Sequence, residues 1–336
     1  MSQNVFITGV AGFLGSHLAD RMLEKGNRVI GVDNLIGGYL DNVPTGVEFY
    51  QYDCANHDAM TKLMRGVDVV YHCACTAYEG LSVFSPHLVT QNTFGISMSV
   101  LSAAIANKVR RFVYCSSMAR YGTQERIPFT EDMIPKPQDP YGIAKYAAEL
   151  AIRELSETHG MEYVIGVPHN IIGPRQKYDD PYRNVASIMI NLMLQGRQPV
   201  IYGDGMQKRC FSFVDDVVDP LEQLAISDHV VGHTINIGPD EEFITINQLA
   251  EIIAKLLNFN LQPIYMPDRP REVKHATCSA DKAREMLGYR TTHNLEKGLG
   301  ELIKYIQLRG VKSFKYHLPL EIINEKMPQT WKDRLF

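Results

Sequence analysis

The stretch that decides the fold is Val5-Phe6-Ile7-Thr8-Gly9-Val10-Ala11-Gly12-Phe13-Leu14-Gly15. Its apolar, β-branched beginning predicts a buried strand, and the residues after Gly15 repeat with a helical period, which gives strand, turn and helix. Gly9 permits a tight turn, Gly12 has no Cβ to keep the backbone from a phosphate, and Gly15 lets the helix lie close to the strand. The helix N-terminus would then face an anion. Three glycines also occur in ordinary turns, so this prediction depends on the sequence that follows.

The second predicted strand, residues 28–34, contains an acid, Asp33, at the distance from the glycines that a βαβ unit requires. A carboxylate at this place can accept hydrogen bonds from both hydroxyls of an adenosine ribose. It would also repel a 2′-phosphate, which favours NAD over NADP as the ligand. The alternative is a solvated turn acid, which is the weaker interpretation once the glycine turn is considered.

The composition predicts a soluble globular protein. With 336 residues, of which 45% are hydrophobic, the chain can form one large core or two unequal domains. The net charge of -4, with interspersed acids and bases, offers no broad basic face for nucleic acid and no polybasic membrane patch. We see no leader-like N-terminus and no apolar run of spanning length, and we expect a cytoplasmic protein. The six cysteines are expected to be reduced core thiols, because none has the spacing of a metal site.

Strands and helices alternate after Asp33, which predicts a parallel α/β sheet with right-handed crossovers. One strand ends at Asp53, a candidate contact for the adenine amino group, and a later strand ends at Ser116 and Ser117, where ligands of such sheets bind. Between them, residues 86–108 have the pattern of one long amphipathic helix. It carries Asn92, for which the alternative role is a satisfied buried amide.

A proline-started, alanine-rich helix is predicted after Asp139. Tyr141 and Lys145 are four residues apart, so they lie on one face of this helix, one turn from each other. This spacing allows the ammonium to lie near the phenol and to favour phenolate. The same pair is common on ordinary helices and has little weight alone.

Several short motifs occur in a specific order. They are Gly9-x-x-Gly12-x-x-Gly15, Asp33, Asp53, Asn92, Ser117 and Tyr141-x-x-x-Lys145, followed by residues 169–176, 201–209, 214–217, 236–238 and 269–270. At these distances the set resembles the extended short-chain dehydrogenases/reductases, in particular the NAD-dependent nucleotide-sugar epimerase/dehydratase family (UDP-glucose 4-epimerase-like). The resemblance extends to about residue 308.

The resemblance implies a Rossmann fold, that is, a doubly wound parallel sheet with helices on both faces, and a smaller α/β C-terminal substrate domain. The NAD-binding domain would comprise residues 1–167 and about 206–237. The nucleotide-sugar-binding domain would comprise about 168–205 and 238–336. The resemblance also implies a homodimer, built through a four-helix bundle by the helices that begin near Pro86 and Pro140.

The resemblance further implies three groups of site residues and no metal. The catalytic residues would be Ser117, Tyr141 and Lys145. NAD would contact Gly9, Gly12, Phe13, Leu14, Gly15, Asp33, Asn34, Asp53, Cys54, Cys73, Ala74, Asn92, Ser116, Tyr141, Lys145 and Pro168. The nucleotide-diphosphate sugar would contact Ser117, Asn170, Val185, Tyr202, Arg209, Arg269, Glu272 and Ala276.

Two of these assignments have a chemical reason. Arg209 and Arg269 present planar forks of donors that suit a diphosphate, although Arg209 alone is equally compatible with a surface salt bridge. Ala276 corresponds to the position that controls access of an N-acetyl group in 4-epimerases, so an alanine here predicts a roomy pocket.

The implied chemistry centres on Tyr141. A free tyrosine titrates near 10, so a tyrosine base needs its pKa lowered. We expect Lys145 and the positive nicotinamide to lower it, and Ser117 to hydrogen-bond the reacting oxygen. For an epimerase, the resemblance implies that hydride leaves C4, the 4-keto sugar rotates, and hydride returns to the opposite face while NAD stays bound.

The residues after Ser117 narrow the choice of reaction. The 4,6-dehydratases have an Asp-Glu pair there, decarboxylating relatives have a glutamate in place of Ala119, and the 3,5-epimerising branch has a cysteine at that place. This chain has Met118-Ala119, which cannot transfer protons. A C4 epimerase is therefore preferred. The alternatives are an NAD(P)H-dependent keto-sugar reductase and, in a different class, a non-catalytic NAD-binding regulator or scaffold.

Three features stay outside this interpretation. Arg120 stands in a usually apolar place and would face either a substrate carboxylate or solvent, with solvent preferred. Pro168 and His169 replace a more usual aromatic pair. Residues 312–336 contain the only tryptophan, Trp331, and suggest no function.

Overall fold

A seven-stranded sheet forms the centre of the computed structural model, which describes residues 2–336. Across the sheet the strands are, in order, Thr234–Ile237, Glu162–Pro168, Arg111–Cys115, Val69–His72, Asn4–Thr8, Arg28–Asp33 and Glu48–Gln51. Each neighbouring pair is parallel. The direction of winding reverses beside Asn4–Thr8, which opens a crevice at the carboxyl ends of the strands. The predicted doubly wound α/β fold is confirmed.

Helices cover both faces of the sheet because its strands are apolar on both sides. Phe6 and Ile7 are consecutive and fully buried, and they belong to two different apolar cores. The helices that pack on the Phe6 face are His57–Leu63, Ile96–Ala106 and Pro140–His159. Those on the Ile7 face are Phe13–Glu24, Val214–Ile226 and Asp281–Leu287.

The helix that carries Tyr141 has well-defined ends. Asp139 precedes it and accepts a hydrogen bond from the Gly142 backbone N–H at 2.9 Å, and Pro140 takes the first helical position. Gly160 ends it in the left-handed conformation, with φ of 70°. The register of the helix is therefore fixed at the end where Tyr141 lies.

The predicted continuous helix over residues 86–108 is interrupted. Pro86–Thr90 and Ile96–Ala106 are joined by a π-helical turn, Gln91–Gly95. The wider turn frees the Asn92 carbonyl, which accepts a hydrogen bond from the Thr76 N–H at 3.1 Å.

The stretch Pro86–Ala106 is also long and apolar enough to cross a membrane, contrary to our expectation, although core helices of soluble proteins meet the same criterion.

The remaining elements lie mainly beyond the sheet. The other helices are Glu79–Ser82, Val185–Leu194, Ile246–Leu257, Leu295–Arg309 and Gln329–Lys332, with 3-10 turns at Leu40–Asn42, Met118–Arg120 and Asp228–Val230. The short strands are Ile171–Ile172, Val200–Tyr202, Lys208–Arg209, Ser212–Phe213, Ile244–Thr245, Ile264–Met266 and His275–Ala276. A separate apolar core joins three of these helices, Val185–Leu194, Ile246–Leu257 and Leu295–Arg309. The domain boundaries given above stay a prediction.

Candidate active site

A cavity of about 470 Å³ lies at the carboxyl ends of the parallel strands. Every residue that the sequence assigned to catalysis, cofactor binding or substrate binding lines it, with one exception, Ala276. The residues come from both halves of the chain and include residues that follow six strands of the sheet. The topology therefore brings together side chains that are far apart in sequence.

The glycine turn fits a bound diphosphate. Gly9 has φ of +73°, and a Cβ on Gly15 would lie 2.2 Å from the Gly9 carbonyl oxygen, so both positions require glycine. A Cβ on Gly12 would meet only the atoms of Gly9 and would otherwise occupy open space in the cavity. No side chain caps the helix that begins at Phe13, which leaves its N-terminus turned to the cavity. These residues can hold the pyrophosphate of a dinucleotide.

Two carboxylates mark the predicted adenosine end. Asp33 accepts hydrogen bonds from the backbone N–H groups of Ala11, at 3.0 Å, and Leu35, at 2.7 Å. Burial raises its pKa, and these hydrogen bonds lower it in part. Asp53 accepts from the Asn34 side-chain amide at 2.8 Å. The backbone thus fixes the Asp33 carboxylate at the cavity wall, where a ribose hydroxyl can reach it.

The three predicted catalytic residues share this cavity. Ser117 lies near the Tyr141 hydroxyl and lowers its pKa, and the Ser117 Oγ accepts a hydrogen bond from the Ala119 N–H at 3.2 Å. Lys145 is buried and its Nζ donates to the Cys115 carbonyl at 2.7 Å, 4.8 Å from the centre of the Tyr114 ring. The phenol, the hydroxyl and the ammonium are therefore held by the helix Pro140–His159 and by the end of one strand.

The direction of the Tyr141 pKa differs from the sequence expectation. Burial raises it well above its ordinary value, and the neighbouring Cys75 adds to that effect. Lys145 and Ser117 lower the pKa of Tyr141, as expected, but do not outweigh burial. Burial also opposes the charge on Lys145, yet Cys75 and other neighbours raise its pKa above the ordinary value. Lys145 therefore stays positively charged, and this charge can stabilise the phenolate form of Tyr141.

Arg120 faces neither solvent nor the cavity, so that expectation is wrong. Its side chain is 3% exposed, and its Nη2 lies 3.1 Å from Oε2 of the fully buried Glu149. Glu149 also accepts a hydrogen bond from the Ser116 hydroxyl. The partner was not apparent from the sequence because the two residues meet only when the helix Pro140–His159 packs against the turn Met118–Arg120.

Two arginines meet one carboxylate at the other end of the cavity. Arg269 donates to Glu272 at 2.7 Å, and Arg209 Nη2 lies 3.8 Å from the same oxygen. The Arg269 guanidinium lies 5.0 Å from the centre of the Tyr202 ring. Arg209 is largely buried rather than on the surface, which removes the surface-salt-bridge alternative. Two guanidinium cations side by side make an anion site suited to a diphosphate.

Ala276 is the one predicted substrate residue that does not line the cavity directly. It is 6% exposed and lies in the core that packs on the Phe6 face of the sheet, in a two-residue strand that pairs with Lys208–Arg209. Its role in access of an N-acetyl group stays a prediction. His169 does line the cavity, and its Nε2 is 3.0 Å from the Pro239 carbonyl oxygen.

Many cavity residues were not predicted from the sequence, and three of them stand out. Glu79 begins a short helix after the loop that follows Val69–His72, while Trp331 and Phe336 belong to the segment for which the sequence suggested no function. Trp331 is buried and donates from Nε1 to the Pro181 carbonyl at 3.2 Å. The preceding Thr330 hydrogen-bonds the Tyr202 hydroxyl. The one sequence feature that could have indicated a role for this segment is its tryptophan, which is the only one in the chain.

Known proteins support the same interpretation. Residues 5–238 match the model of the NAD dependent epimerase/dehydratase family. A UDP-glucose 4-epimerase of Streptomyces lividans is 31% identical over 307 residues, which is 86% of this chain and 92% of that protein. A UDP-N-acetyl-alpha-D-glucosaminuronate decarboxylase of Bacillus cytotoxicus is 30% identical over 325 residues, 91% of this chain and 98% of that one. The structure of a UDP-glucose 4-epimerase from Thermotoga maritima with UDP-glucose superposes with a TM-score of 0.86, at 31% identity, over 91% of this chain and 99% of that one.

The glycine turn, the ribose acid and the tyrosine–lysine pair lie in one cavity, and structural neighbours are solved in complex with NAD. The family model spans more than half of the chain. The chain therefore belongs to the NAD-dependent epimerase/dehydratase family and is an NAD-dependent enzyme of the isomerase type.

Proposed function

We propose that the chain is a UDP-hexose 4-epimerase. The observation that carries the proposal is the combination of Tyr141, Ser117 and Lys145 in the cavity with Met118 and Ala119 as the residues next to Ser117. Because neither Met118 nor Ala119 can transfer a proton, the residues that dehydratases and decarboxylating relatives use at this place are absent. Oxidation and re-reduction at one carbon is the chemistry that the remaining residues serve.

Each catalytic residue has a definable task in this reaction. Tyr141 removes the proton from the C4 hydroxyl and later returns it. Lys145, fixed by the Cys115 carbonyl, stabilises the phenolate electrostatically. Ser117 lies near the Tyr141 hydroxyl and can donate a hydrogen bond to the sugar oxygen. NAD, when bound, supplies hydride acceptance and return.

A UDP-sugar substrate is supported by the arginine pair and by the relatives. The cations of Arg209 and Arg269 and the ring of Tyr202 lie together, as a nucleoside diphosphate requires. The named relatives act on, or were solved with, UDP-sugars. The sugar then extends from this anion site toward Tyr141.

The test is incubation of the purified enzyme with UDP-glucose, and separately with UDP-galactose, without added cofactor. We expect the same equilibrium mixture from both directions, no net consumption of NAD, and no deuterium at C4 or C5 when the reaction runs in D₂O. Tyr141→Phe should lose about 10² to 10⁴ in kcat. Absence of interconversion, together with stoichiometric oxidation of NADH when a nucleotide 4-keto sugar is supplied, would replace this proposal by a keto-sugar reductase.

We also propose a homodimer. Ile143 and Leu150 are 52% and 47% exposed and lie two turns apart on one face of the helix Pro140–His159. This is the face expected to meet a second copy. Light scattering should give twice the mass of 38.0 kDa, and Leu150→Glu should shift it toward the monomer.

A further inference from the structure

We propose that Glu79 lies beside the bound sugar and selects uncharged hexosyl substrates over hexuronyl substrates. The proposal rests on the proposed nucleotide-sugar function and assigns a specificity residue to the same cavity. Glu79 is outside the motifs quoted above, and no pattern in the sequence singles it out. The position of the residue, the charges around it and the path of the sugar carry the inference.

Hydrogen bonds and contacts place Glu79 between the arginines and Tyr141. Its carbonyl accepts from the Ser82 hydroxyl at 2.6 Å, and Ser82 also lies 3.3 Å from Asp139, which caps the helix of Tyr141. On the other side, a Cβ on the adjacent Gly80 would lie 3.6 Å from Arg269 Nη1. The short helix that Glu79 begins is thus fixed to both ends of the path that a sugar must follow.

The Glu79 carboxyl itself has no partner within residues 2–336. No hydrogen bond or ion pair to its side chain occurs in that range, and the residue is exposed on the wall of the cavity. The carboxyl is therefore free to bind a ligand that enters the cavity. Sugar hydroxyls are suitable partners because they donate hydrogen bonds to carboxylates.

Charged groups of three neighbouring elements face Glu79. Asp139 lies at the cap of the tyrosine helix, Arg209 on the short strand Lys208–Arg209, and Arg269 and Glu272 in the loop near residue 270. Burial, followed by Asp139, raises the pKa of Glu79 to about 7, and the two arginines lower it in part. Because both arginines contact Glu272 and would also bind the diphosphate, they do not neutralise Glu79 fully.

The substrate has to pass this carboxyl. Its diphosphate is at the arginines and its C4 hydroxyl is at Tyr141, and Glu79 interacts electrostatically with all three of these side chains. A uronate carboxylate would add a second negative charge near Glu79. Arg120, the residue that could have offered a counter-charge, is bound to Glu149 outside the cavity. Like charges a few ångströms apart weaken binding by about tenfold to a hundredfold in such a setting.

The preference should depend on pH. Below pH 7 Glu79 is largely protonated, so its repulsion of a uronate is reduced; above pH 7 it is ionised and the repulsion is complete. A bound diphosphate adds negative charge and moves this transition to higher pH. The ratio of affinities, hexosyl over hexuronyl, is therefore expected to increase from pH 6 to pH 9.

The experiment is calorimetric titration of the NAD-bound enzyme with UDP-glucose and with UDP-glucuronate, which measures binding without turnover. We expect Kd to favour UDP-glucose by about tenfold or more at pH 8.5. Glu79→Gln should reduce the preference for UDP-glucose to about threefold or less, and Glu79→Lys should make UDP-glucuronate the tighter ligand. Glu125→Gln, which removes an exposed carboxyl outside the cavity, is the matched control and should keep the parent ratio.

Two outcomes would overturn the proposal: equal affinity of the parent enzyme for both ligands, or an unchanged ratio in both Glu79 variants. Melting temperatures near the parent value show that the variants are folded. Failure of the proposed function is a separate result, because it would appear as absent C4 epimerisation while the ratio of affinities still depended on Glu79.

Discussion

Arg120 and Glu149 form a buried ion pair, with Nη2 and Oε2 separated by 3.1 Å, directly behind the catalytic strand end. Arg120→Ala would leave Glu149 charged and unpaired in the interior, because burial already raises the pKa of Glu149 and Arg120 lowers it. We expect a loss of about 3–5 kcal/mol in the free energy of unfolding, measured by urea denaturation.

A matched exposed pair serves as the control for that measurement. Arg110 and Glu162 lie 3.0 Å apart, with side chains 40% and 38% exposed. Arg110→Ala should cost less than about 1 kcal/mol. An equal loss in both variants would contradict the assignment of Arg120 to a buried pair.

Lys145 should set the pH dependence of the reaction. Burial raises the pKa of Tyr141 and Lys145 lowers it, so removing the cation by Lys145→Met raises that pKa further. The base is the phenolate, and the rising limb of the kcat profile should therefore move to higher pH in the variant. A profile that keeps its position, at any level of residual activity, would contradict the electrostatic role of Lys145.

The glycine turn allows a test of NAD binding that separates it from folding. Gly12→Ala places a Cβ 3.0 Å from the Gly9 oxygen and otherwise in the cavity, so we expect a folded protein that is purified without NAD. Gly300→Ala, within Leu295–Arg309 and with no atom near its Cβ, should be about 0.5–1 kcal/mol more stable and retain NAD. Cofactor content by absorbance and thermal melting are the readouts.

Trp331 is a natural reporter of the nucleotide end of the cavity. It is the only tryptophan, it lines the cavity, and a Cβ on Gly80 would lie 3.3 Å from its ring. UDP should therefore change the intrinsic fluorescence, whereas free glucose should not. Trp331→Ala is expected to raise KM about tenfold with a smaller effect on kcat, since it removes a wall of the binding site. An unchanged KM would place Trp331 outside the binding site.

Much of this molecule is predictable from local sequence. The turn at Gly9 and the cap at Asp139 involve residues that are neighbours in the chain, so their spacing alone defines the geometry. The parallel sheet follows from the alternation of elements. The shared cavity then follows from the topology, because the carboxyl ends of parallel strands meet at one edge of the sheet.

The corrections concern contacts between distant segments. Arg120 pairs with Glu149, and Ala276 packs into an apolar core, only because separate elements pack together. The π turn before Ile96 depends on the Thr76 N–H, which belongs to another loop. Periodicity describes one element at a time and contains no information about such partners.

Asp139 has a consequence beyond the cap that it forms. The same carboxylate holds the first turn of the tyrosine helix and lies 3.3 Å from the Ser82 hydroxyl, which donates to the carbonyl of Glu79. The turn that bears the proposed specificity residue is thus in contact with the end of the helix that bears the catalytic tyrosine. A natural variant that adapts this enzyme to a new sugar by altering Ser82 would disturb the reaction rate together with the preference, so the two traits cannot evolve independently along that route.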